Sequence, residues 1–136
     1  MKAYIDGASR GNPGKAGIGV VLCNDAGEPL KEISESIGET TNNVAEYRAL
    51  IRALEEARAL GADTIEVYTD SELLARQING LYGVHSPHLQ PLYHRARALL
   101  RLFKIARVQH ISRLHNQRAD RLAKAAAGDT THSSTS

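Results

Sequence analysis

Cysteine is almost absent from the sequence, and none of its apolar runs is long. Cys23 is the only cysteine among 136 residues, so no disulfide can form within the chain and a reducing compartment is expected. No stretch approaches the roughly 20 apolar residues that a membrane helix needs, and the first residues lack the apolar core of a signal peptide. These absences predict a cytoplasmic protein with no membrane partner, of a length typical of one compact domain.

Acidic residues are scarce toward the C-terminus. Residues 91–136 contain nine Lys or Arg and two Asp, whereas residues 1–90 contain eight Lys or Arg and thirteen Asp or Glu. The net charge of +2 therefore hides an uneven distribution. Such a split indicates one acidic pocket and one basic face, as a metal-using nucleic-acid enzyme needs. On charge alone, a solvated helix face rich in arginine explains the basic part equally well.

The N-terminal part of the sequence has the pattern of strands. Residues 2–6 alternate in polarity, residues 18–23 are almost entirely apolar, and residues 30–37 follow a turn. A loop rich in Gly and Pro is expected at 7–14. Because tight turns join the three strands, we expect an antiparallel meander.

After the third predicted strand, the apolar residues have the spacing of a helix. Apolar residues at i, i+3, i+4 and i+7 predict a helix over residues 43–60, which Gly61 ends. The order of elements is then βββαβααβα, which predicts an α/β domain over 1–127 with a mixed five-stranded sheet flanked by helices. The Ser/Thr-rich tail, 128–136, is expected to be disordered. The remaining elements are expected at 64–69 (strand), 71–79 and 92–102 (helices), 105–111 (strand) and 116–127 (helix).

Four acidic residues lie at the boundaries of these elements. Asp6 is expected to end the first strand and Asp70 the fourth, while Glu46 and Asp120 lie early in helices. Strand ends and helix starts can converge in a mixed sheet, and clustered carboxylates are stable only when they are protonated or bound to a cation. Oxygen ligands of this kind suit Mg²⁺.

Each acid also has a purely structural explanation. Glu46 could form a capping box with Asn43, and Asp70 could cap the helix that follows it. Asp120 could pair with the lysine one helical turn later, and Asp6 could be a turn residue at a strand end. The functional interpretation therefore depends on all four acids occurring together in their local contexts.

Those contexts resemble the motifs of type 1 ribonucleases H. The resemblance covers residues 1–127, with the motifs in the same order and on matching elements. The segment 80–88, where several bacterial relatives carry a handle rich in Lys and Trp, contains no Lys, Arg or Trp, so the chain resembles the form that lacks the basic handle. The motifs are Asp6-Gly7-Ala8-Ser9-x-Gly11-Asn12-Pro13-Gly14, Thr40-Thr41-Asn42-Asn43-Val44-Ala45-Glu46, Thr69-Asp70-Ser71 and Asn116-x-x-Ala119-Asp120.

The resemblance implies endonucleolytic cleavage of the RNA strand of an RNA–DNA hybrid by two Mg²⁺ ions, for which Mn²⁺ is expected to substitute. It implies that Asp6 bridges both ions, with Glu46 and Asp70 completing one site and Asp120 the other. The products would carry 5′-phosphate and 3′-hydroxyl ends. The resemblance implies no obligate protein partner, and we expect a monomer.

An enzyme that cuts RNA and spares DNA must detect the 2′-hydroxyl group. The resemblance implies that the segment from Gly7 to Asn12 does so together with residues on the following helices, and that Thr41 contacts a DNA phosphate. From the residues alone, the glycine-rich segment could equally be a turn, and Asn42 a helix cap. The substrate-binding residues implied are Gly7, Ser9, Gly11, Asn12, Thr41, Asn42, Asn43 and Glu72.

A mobile catalytic histidine precedes the last helix in many relatives, and His115 occupies the corresponding place in this sequence. It is therefore included among the candidate catalytic residues, although an exposed histidine without a role is an equal alternative. Tyr82 could stack on a nucleotide or be part of the core. Arg95, Arg97, Arg101, Lys104 and Arg107 could form a basic face that compensates for the missing handle.

Two other functions remain possible from the sequence. One is a nuclease of the same fold that cuts DNA, which the Thr-Asn-Asn-x-x-Glu context of Glu46 disfavours. The other is a hybrid-binding module without activity, which the four intact acids disfavour.

Overall fold

The computed structural model describes residues 1–128, so the predicted disordered tail lies, apart from Gly128, outside the described residues. The elements follow the expected order, with one additional 3₁₀ turn, η1, before the last helix. No helix of this part of the chain is both long and apolar enough to cross a bilayer. The elements are β1 (Lys2–Gly11), β2 (Gly14–Cys23), β3 (Pro29–Thr40), α1 (Asn42–Ala59), β4 (Thr64–Thr69), α2 (Glu72–Ile78), α3 (Gln90–Leu100), β5 (Ile105–His110), η1 (Arg113–His115) and α4 (Gln117–Ala126).

The five strands form one mixed sheet in the order β3-β2-β1-β4-β5. The β1–β2 and β2–β3 pairs are antiparallel, as expected of a meander, and the β1–β4 and β4–β5 pairs are parallel. Parallel neighbours require crossover connections, which α1 and the α2–α3 pair provide. The predicted mixed α/β sheet is confirmed.

The helices cover the sheet on both sides. Ile18, Val20 and Leu22 of β2 pack in the core that includes the apolar face of α1. The intervening residues Gly17 and Gly19 lie directly against α4, since a Cβ atom on Gly19 would come within 2.2 Å of the Ala119 carbonyl oxygen. Because successive strand residues point to opposite faces, β2 is buried from both sides, which explains its near-continuous apolar sequence.

The first strand is longer than the sequence indicates. The prediction of a loop at 7–14 is wrong, because β1 continues to Gly11. Its last residues pair with β2, from the pair of Gly7 with Ile18 to the pair of Gly11 with Gly14. The small residues of this segment have low strand propensity. Hairpin pairing with β2 overrides that propensity, so Asp6 lies within β1 and does not end it.

Other boundaries differ less. The third strand extends to Thr40, and α3 begins at Gln90 rather than at 92, with a proline in its first turn. Proline is tolerated there because the first helical N–H groups have no partner within the helix. Gly61 follows α1 with φ of +84°, a conformation that glycine adopts without strain.

Candidate active site

The acidic residues come together where β1 extends beyond β4. The parallel pairing ends at Ile5 and Thr69, so Asp6 is the first residue of β1 without a β4 partner and Asp70 is the first residue after β4. Glu46 reaches the same point from the first turns of α1. One carboxylate oxygen from each of the three acids lies within 4.8 Å of the other two.

A close approach between α1 and β1 places Glu46. Its Oε1 accepts a hydrogen bond from the backbone N–H of Gly7 at 3.0 Å. A Cβ atom on Gly7 would lie 2.4 Å from the backbone carbon of Ala45, so only glycine permits this approach. The capping-box alternative for Glu46 is therefore wrong: Thr41 is the N-cap of α1, and its hydroxyl accepts the N–H of Val44 at 3.3 Å.

Asp70 does not cap the next helix either. The N-cap of α2 is Ser71, whose hydroxyl accepts the N–H of Leu74 at 3.1 Å. The Asp70 carboxylate is therefore not occupied by helix capping. Its Oδ2 lies 3.4 Å from the side-chain amide nitrogen of Asn116.

Asp120 contacts one cation, Lys124, and one acid of the cluster, Asp6. Its carboxylate forms an ion pair with Lys124 at 3.2 Å, which confirms the predicted pairing with the lysine one helical turn later. The same carboxylate lies within hydrogen-bonding reach of Asp6. The two interpretations are therefore compatible, and Asp120 borders the cluster from α4.

Burial and mutual repulsion raise the pKa of two of these acids. The pKa of Asp6, which is 4% exposed, rises from 3.8 to about 9, first because of burial and then because of the charges of Glu46 and Asp70. The pKa of Glu46 rises from 4.5 to about 8 through burial and the charge of Asp70, while the Gly7 N–H and the charge of Arg113 oppose the rise. At neutral pH the cluster either retains protons or binds a cation.

The donor set fits a hard divalent cation. Carboxylate oxygens are the ligands that Mg²⁺ and similar ions prefer, and three converge within a few ångströms. A positive charge at this point would relieve the repulsion that raises both pKa values. The acidic cluster of Asp6, Glu46 and Asp70 is thus a candidate metal site, bordered by Asp120.

A network of hydrogen bonds connects the β1–β2 hairpin to the start of α1. The backbone N–H and the hydroxyl of Ser9 both donate to Asn42 Oδ1, at 2.9 and 3.0 Å. The N–H of Asn42 in turn donates to Asn12 Oδ1 at 3.0 Å. Asn42 therefore is not the helix cap that the sequence left possible. Asn12, Thr41 and Asn43 also line one groove, together with Ser86 and His88 of the loop before α3.

Two other candidate residues lie outside the carboxylate cluster. Glu72, in the first turn of α2, forms a 2.7 Å ion pair with Arg76 and is exposed. His115 is exposed in η1, and its Nδ1 lies 2.9 Å from the hydroxyl of Ser112. It lines a cavity with Tyr4 and Cys23, and none of the four acids lines that cavity.

The segment that replaces the handle carries an exposed aromatic residue. Tyr82 is 49% exposed, so it does not belong to the core, and the guanidinium of Arg76 lies 5.3 Å from the centre of its ring.

Two arginines of the predicted basic face have protein partners: Arg95 pairs with Glu55 at 3.2 Å, and Arg97 donates to the carbonyl of Ile78 at 2.7 Å. Glu55 lies about 13 Å from Glu46 along the axis of α1. The hybrid-binding role of this face stays a prediction.

Two residues at the site were missed from the sequence. Arg113 is the cation whose charge opposes the rise in the pKa of Glu46. Asn116 belongs to the last of the four motifs, but the sequence predicts no role for it. In the structure, its side-chain amide contacts Asp70 and the backbone beside Asp6. Its place immediately before the helix of Asp120 was the available signal, but an asparagine there is also a common N-cap.

The strand order β3-β2-β1-β4-β5, with carboxylates at the point where β1 passes β4, defines a ribonuclease H-like fold with a candidate acidic metal site. A family model described as reverse transcriptase-like matches residues 4–126. Ribonuclease HI of Halobacterium salinarum is 46% identical over 129 residues, which are 95% of this chain and 65% of that protein. The crystal structure of its RNase H1 superposes with a TM-score of 0.91, covering 95% of this chain and 98% of that one.

Two further structures are similar. The N-terminal RNase H domain of Rv2228c from Mycobacterium tuberculosis has a TM-score of 0.90 at 42% identity, over 93% of this chain and 97% of that one. LC11-RNase H1, isolated from compost and crystallised with an RNA/DNA hybrid, has a TM-score of 0.88 at 44% identity, over 94% and 96%. The chain belongs to the type 1 ribonuclease H family. It spans about two thirds of the length of the Halobacterium protein, 65%, and 35% of full-length Rv2228c.

Proposed function

We propose that the chain hydrolyses the RNA strand of RNA–DNA hybrids endonucleolytically and leaves 5′-phosphate and 3′-hydroxyl ends. The observation that carries the proposal is the convergence of Asp6, Glu46 and Asp70 on one point of a ribonuclease H fold. The likeness to LC11-RNase H1, which was crystallised with an RNA/DNA hybrid, supports the same substrate. Residues 1–127 would form the catalytic domain.

The ions proposed are two Mg²⁺, for which Mn²⁺ would substitute. Asp6 would contact both ions, Glu46 and Asp70 would complete one site, and Asp120 would complete the other. Mg²⁺ would lower the pKa of an attacking water and neutralise charge on the leaving 3′-oxygen. The protein groups hold the carboxylates in place: the Gly7 N–H fixes Glu46, and Lys124 offsets the charge of Asp120.

Recognition of the RNA strand is assigned to the hairpin end of β1 and the start of α1. Gly7 and Gly11 belong to this set, and the linked side chains of Ser9, Asn12 and Asn42 offer both donors and acceptors to a 2′-hydroxyl. Asn43 and Thr41 line the adjoining groove, where Thr41 would contact a DNA phosphate. Glu72, two residues after Asp70, would contact the RNA strand from α2.

His115 is proposed as a helper in proton transfer or product release. Its exposed ring is held near Ser112 in the short η1 turn, which precedes the helix of Asp120. We propose a monomeric enzyme with no obligate protein partner. A cytoplasmic location is proposed from the cysteine content alone.

A cleavage assay tests the proposed function. A labelled RNA–DNA hybrid, duplex DNA and duplex RNA are incubated with the protein in Mg²⁺, in Mn²⁺ and in EDTA. The proposal expects cutting of the hybrid alone, only with a divalent ion, and 5′-phosphate ends on the RNA fragments. Cutting of duplex DNA at a similar rate would favour a DNA nuclease of the same fold, and hybrid binding without cutting would favour a silent binding module.

A further inference from the structure

Asn116 lies between three of the four acids. It precedes α4 and is only 2% exposed. Its side-chain amide nitrogen donates to the carbonyl of Ile5 at 2.8 Å and lies 3.4 Å from Asp70 Oδ2. Its backbone carbonyl accepts the N–H of Asp120 at 3.1 Å, as a hydrogen bond of the first turn of α4. One buried residue therefore contacts the backbone next to Asp6, the carboxylate of Asp70 and the backbone of Asp120.

The orientation of the Asn116 amide follows from its neighbours. The Ile5 carbonyl and the Asp70 carboxylate are both acceptors, so the nitrogen must face them and the oxygen must point away. Exchanging the two atoms would place an oxygen against two oxygens.

This orientation has a cost. Asparagine before a helix usually accepts a first-turn N–H with its side-chain oxygen, and Asn116 makes no such bond. Its Oδ1 is buried and has no hydrogen-bond partner among residues 1–128. An unsatisfied buried oxygen and a missing helix cap each destabilise a fold. Helix capping therefore does not explain why an asparagine occupies this position.

We propose that Asn116 is a positioning residue that fixes the relative placement of Asp6, Asp70 and Asp120 for cation binding. The inference rests on the proposed metal-dependent hydrolysis. The bond to Ile5 holds α4 against β1 immediately before Asp6, and the contact with Asp70 orients that carboxylate toward the cluster. Residues that orient metal ligands without touching the metal commonly change metal affinity or activity by about 10–100-fold.

The substitution Asn116→Ser separates positioning from helix capping. A serine hydroxyl is an effective N-cap but is too short to span from Ile5 to Asp70, so α4 keeps its start while the contacts with β1 and Asp70 are lost. Asn79→Ser is the matched control, because the Asn79 amide donates to a strand carbonyl, that of Val108, at 3.0 Å and none of the acids is its partner.

The first measurement is Mg²⁺ binding by calorimetry in the absence of hybrid, with thermal melting to show that each variant is folded. For Asn116→Ser we expect the Mg²⁺ dissociation constant to rise about 10–100-fold. For Asn79→Ser we expect a similar or larger loss of thermal stability with the Mg²⁺ dissociation constant unchanged.

The second measurement is hybrid cleavage at saturating Mg²⁺. For Asn116→Ser and for Asn116→Asp, which is similar in size but has no donor for Ile5, kcat should fall about 10–100-fold while KM for the hybrid changes less than about threefold. Wild-type kcat and Mg²⁺ affinity in a folded Asn116→Ser, or wild-type kcat in a folded Asn116→Asp, would refute the positioning role. A wild-type protein that fails to cut the hybrid would instead refute the proposed function, whatever the variants do.

Discussion

At the scale of single residues, Asp6 has the strongest conflict between stability and function. Burial and three neighbouring carboxylates raise its pKa to about 9, so its ionisation destabilises the cation-free fold. The substitution Asp6→Asn removes this charge and provides an N–H donor for Asp120 in place of the O–H of the protonated carboxyl. Sites of this kind commonly exchange stability for activity.

We therefore expect Asp6→Asn to be more stable than wild type in EDTA at pH 8. A gain of about 1–2 kcal/mol would raise the melting temperature by roughly 3–10 °C in a domain of this size. Hybrid cleavage should fall at least about 10³-fold, because losing a ligand of a catalytic metal removes several kcal/mol of transition-state stabilisation. Thermal melting and a cleavage assay measure both, with the exposed Asp63→Asn as control. A lower melting temperature than wild type in EDTA would show that Asp6 is not in a repulsive environment.

His115 is the candidate catalytic residue that lies outside the acidic cluster. Positioned acid–base groups contribute typically 10²–10⁴-fold to a rate, and a helper beside a metal site should contribute less than the metals. We expect His115→Ala to lower kcat by less than about 10²-fold without abolishing cleavage, and His94→Ala, on the exposed side of α3, to leave it unchanged. Wild-type rates for His115→Ala across pH 6–9 would remove His115 from the site.

At the scale of elements, the contact between β1 and α1 determines where Glu46 lies. A Cβ atom on Gly7 would lie 2.5 Å from the backbone nitrogen of Glu46, so Gly7→Ala must move the helix away from the strand. We expect a loss of about 1–3 kcal/mol of stability, as for other overpacked contacts, together with weaker Mg²⁺ binding.

The glycine control isolates the effect of helix movement. Gly27 has φ of +87° and open space around it, so Gly27→Ala strains the backbone without displacing any element. This variant should lose about 1–2 kcal/mol and keep the wild-type Mg²⁺ affinity by calorimetry. Unchanged Mg²⁺ affinity in Gly7→Ala would mean that the β1–α1 approach does not position Glu46.

The sequence predicted the elements better than the contacts between them. Periodicity located α1 and β4 within a residue or two. The sequence indicated only that strand ends and helix starts can converge in a mixed sheet, and the pairing of β1 with β4, which makes Asp6 and Asp70 neighbours, comes from the structure. Asn43-x-x-Glu46 has the spacing of a capping box, and only the position of Gly7 on the neighbouring strand shows that Glu46 points elsewhere. The orientation of the Asn116 amide likewise depends on a carbonyl 111 positions earlier in the chain, which no local pattern contains.

At the scale of the whole molecule, the acidic cluster makes stability depend on pH. The pKa values of Asp6 and Glu46 rise from 3.8 and 4.5 to about 9 and about 8 on folding. Both acids are protonated in the folded and unfolded states below about pH 3. Above that pH the unfolded chain loses these protons first, so stability falls until the pH passes the folded-state values.

In EDTA, the melting temperature of the protein should therefore fall between pH 5 and pH 9. Mg²⁺ should reduce the fall, because the cation binds the deprotonated cluster of the native state. The double variant Asp6→Asn/Glu46→Gln serves as control, since titration of all other groups remains in it. An equal pH dependence in wild type and the double variant would contradict the raised pKa values.

In the proposed function, the acidic cluster cuts RNA only when the RNA is paired with DNA and only with a divalent ion. The most direct measurement is cleavage of one labelled RNA strand, presented in turn as RNA–DNA hybrid, RNA duplex and single strand, by wild type and Asp6→Asn in Mg²⁺ and in EDTA. We expect wild type with Mg²⁺ to cut the hybrid and every other combination to give no cleavage. Cutting of the hybrid in EDTA, or by Asp6→Asn at a rate near that of wild type, would contradict it.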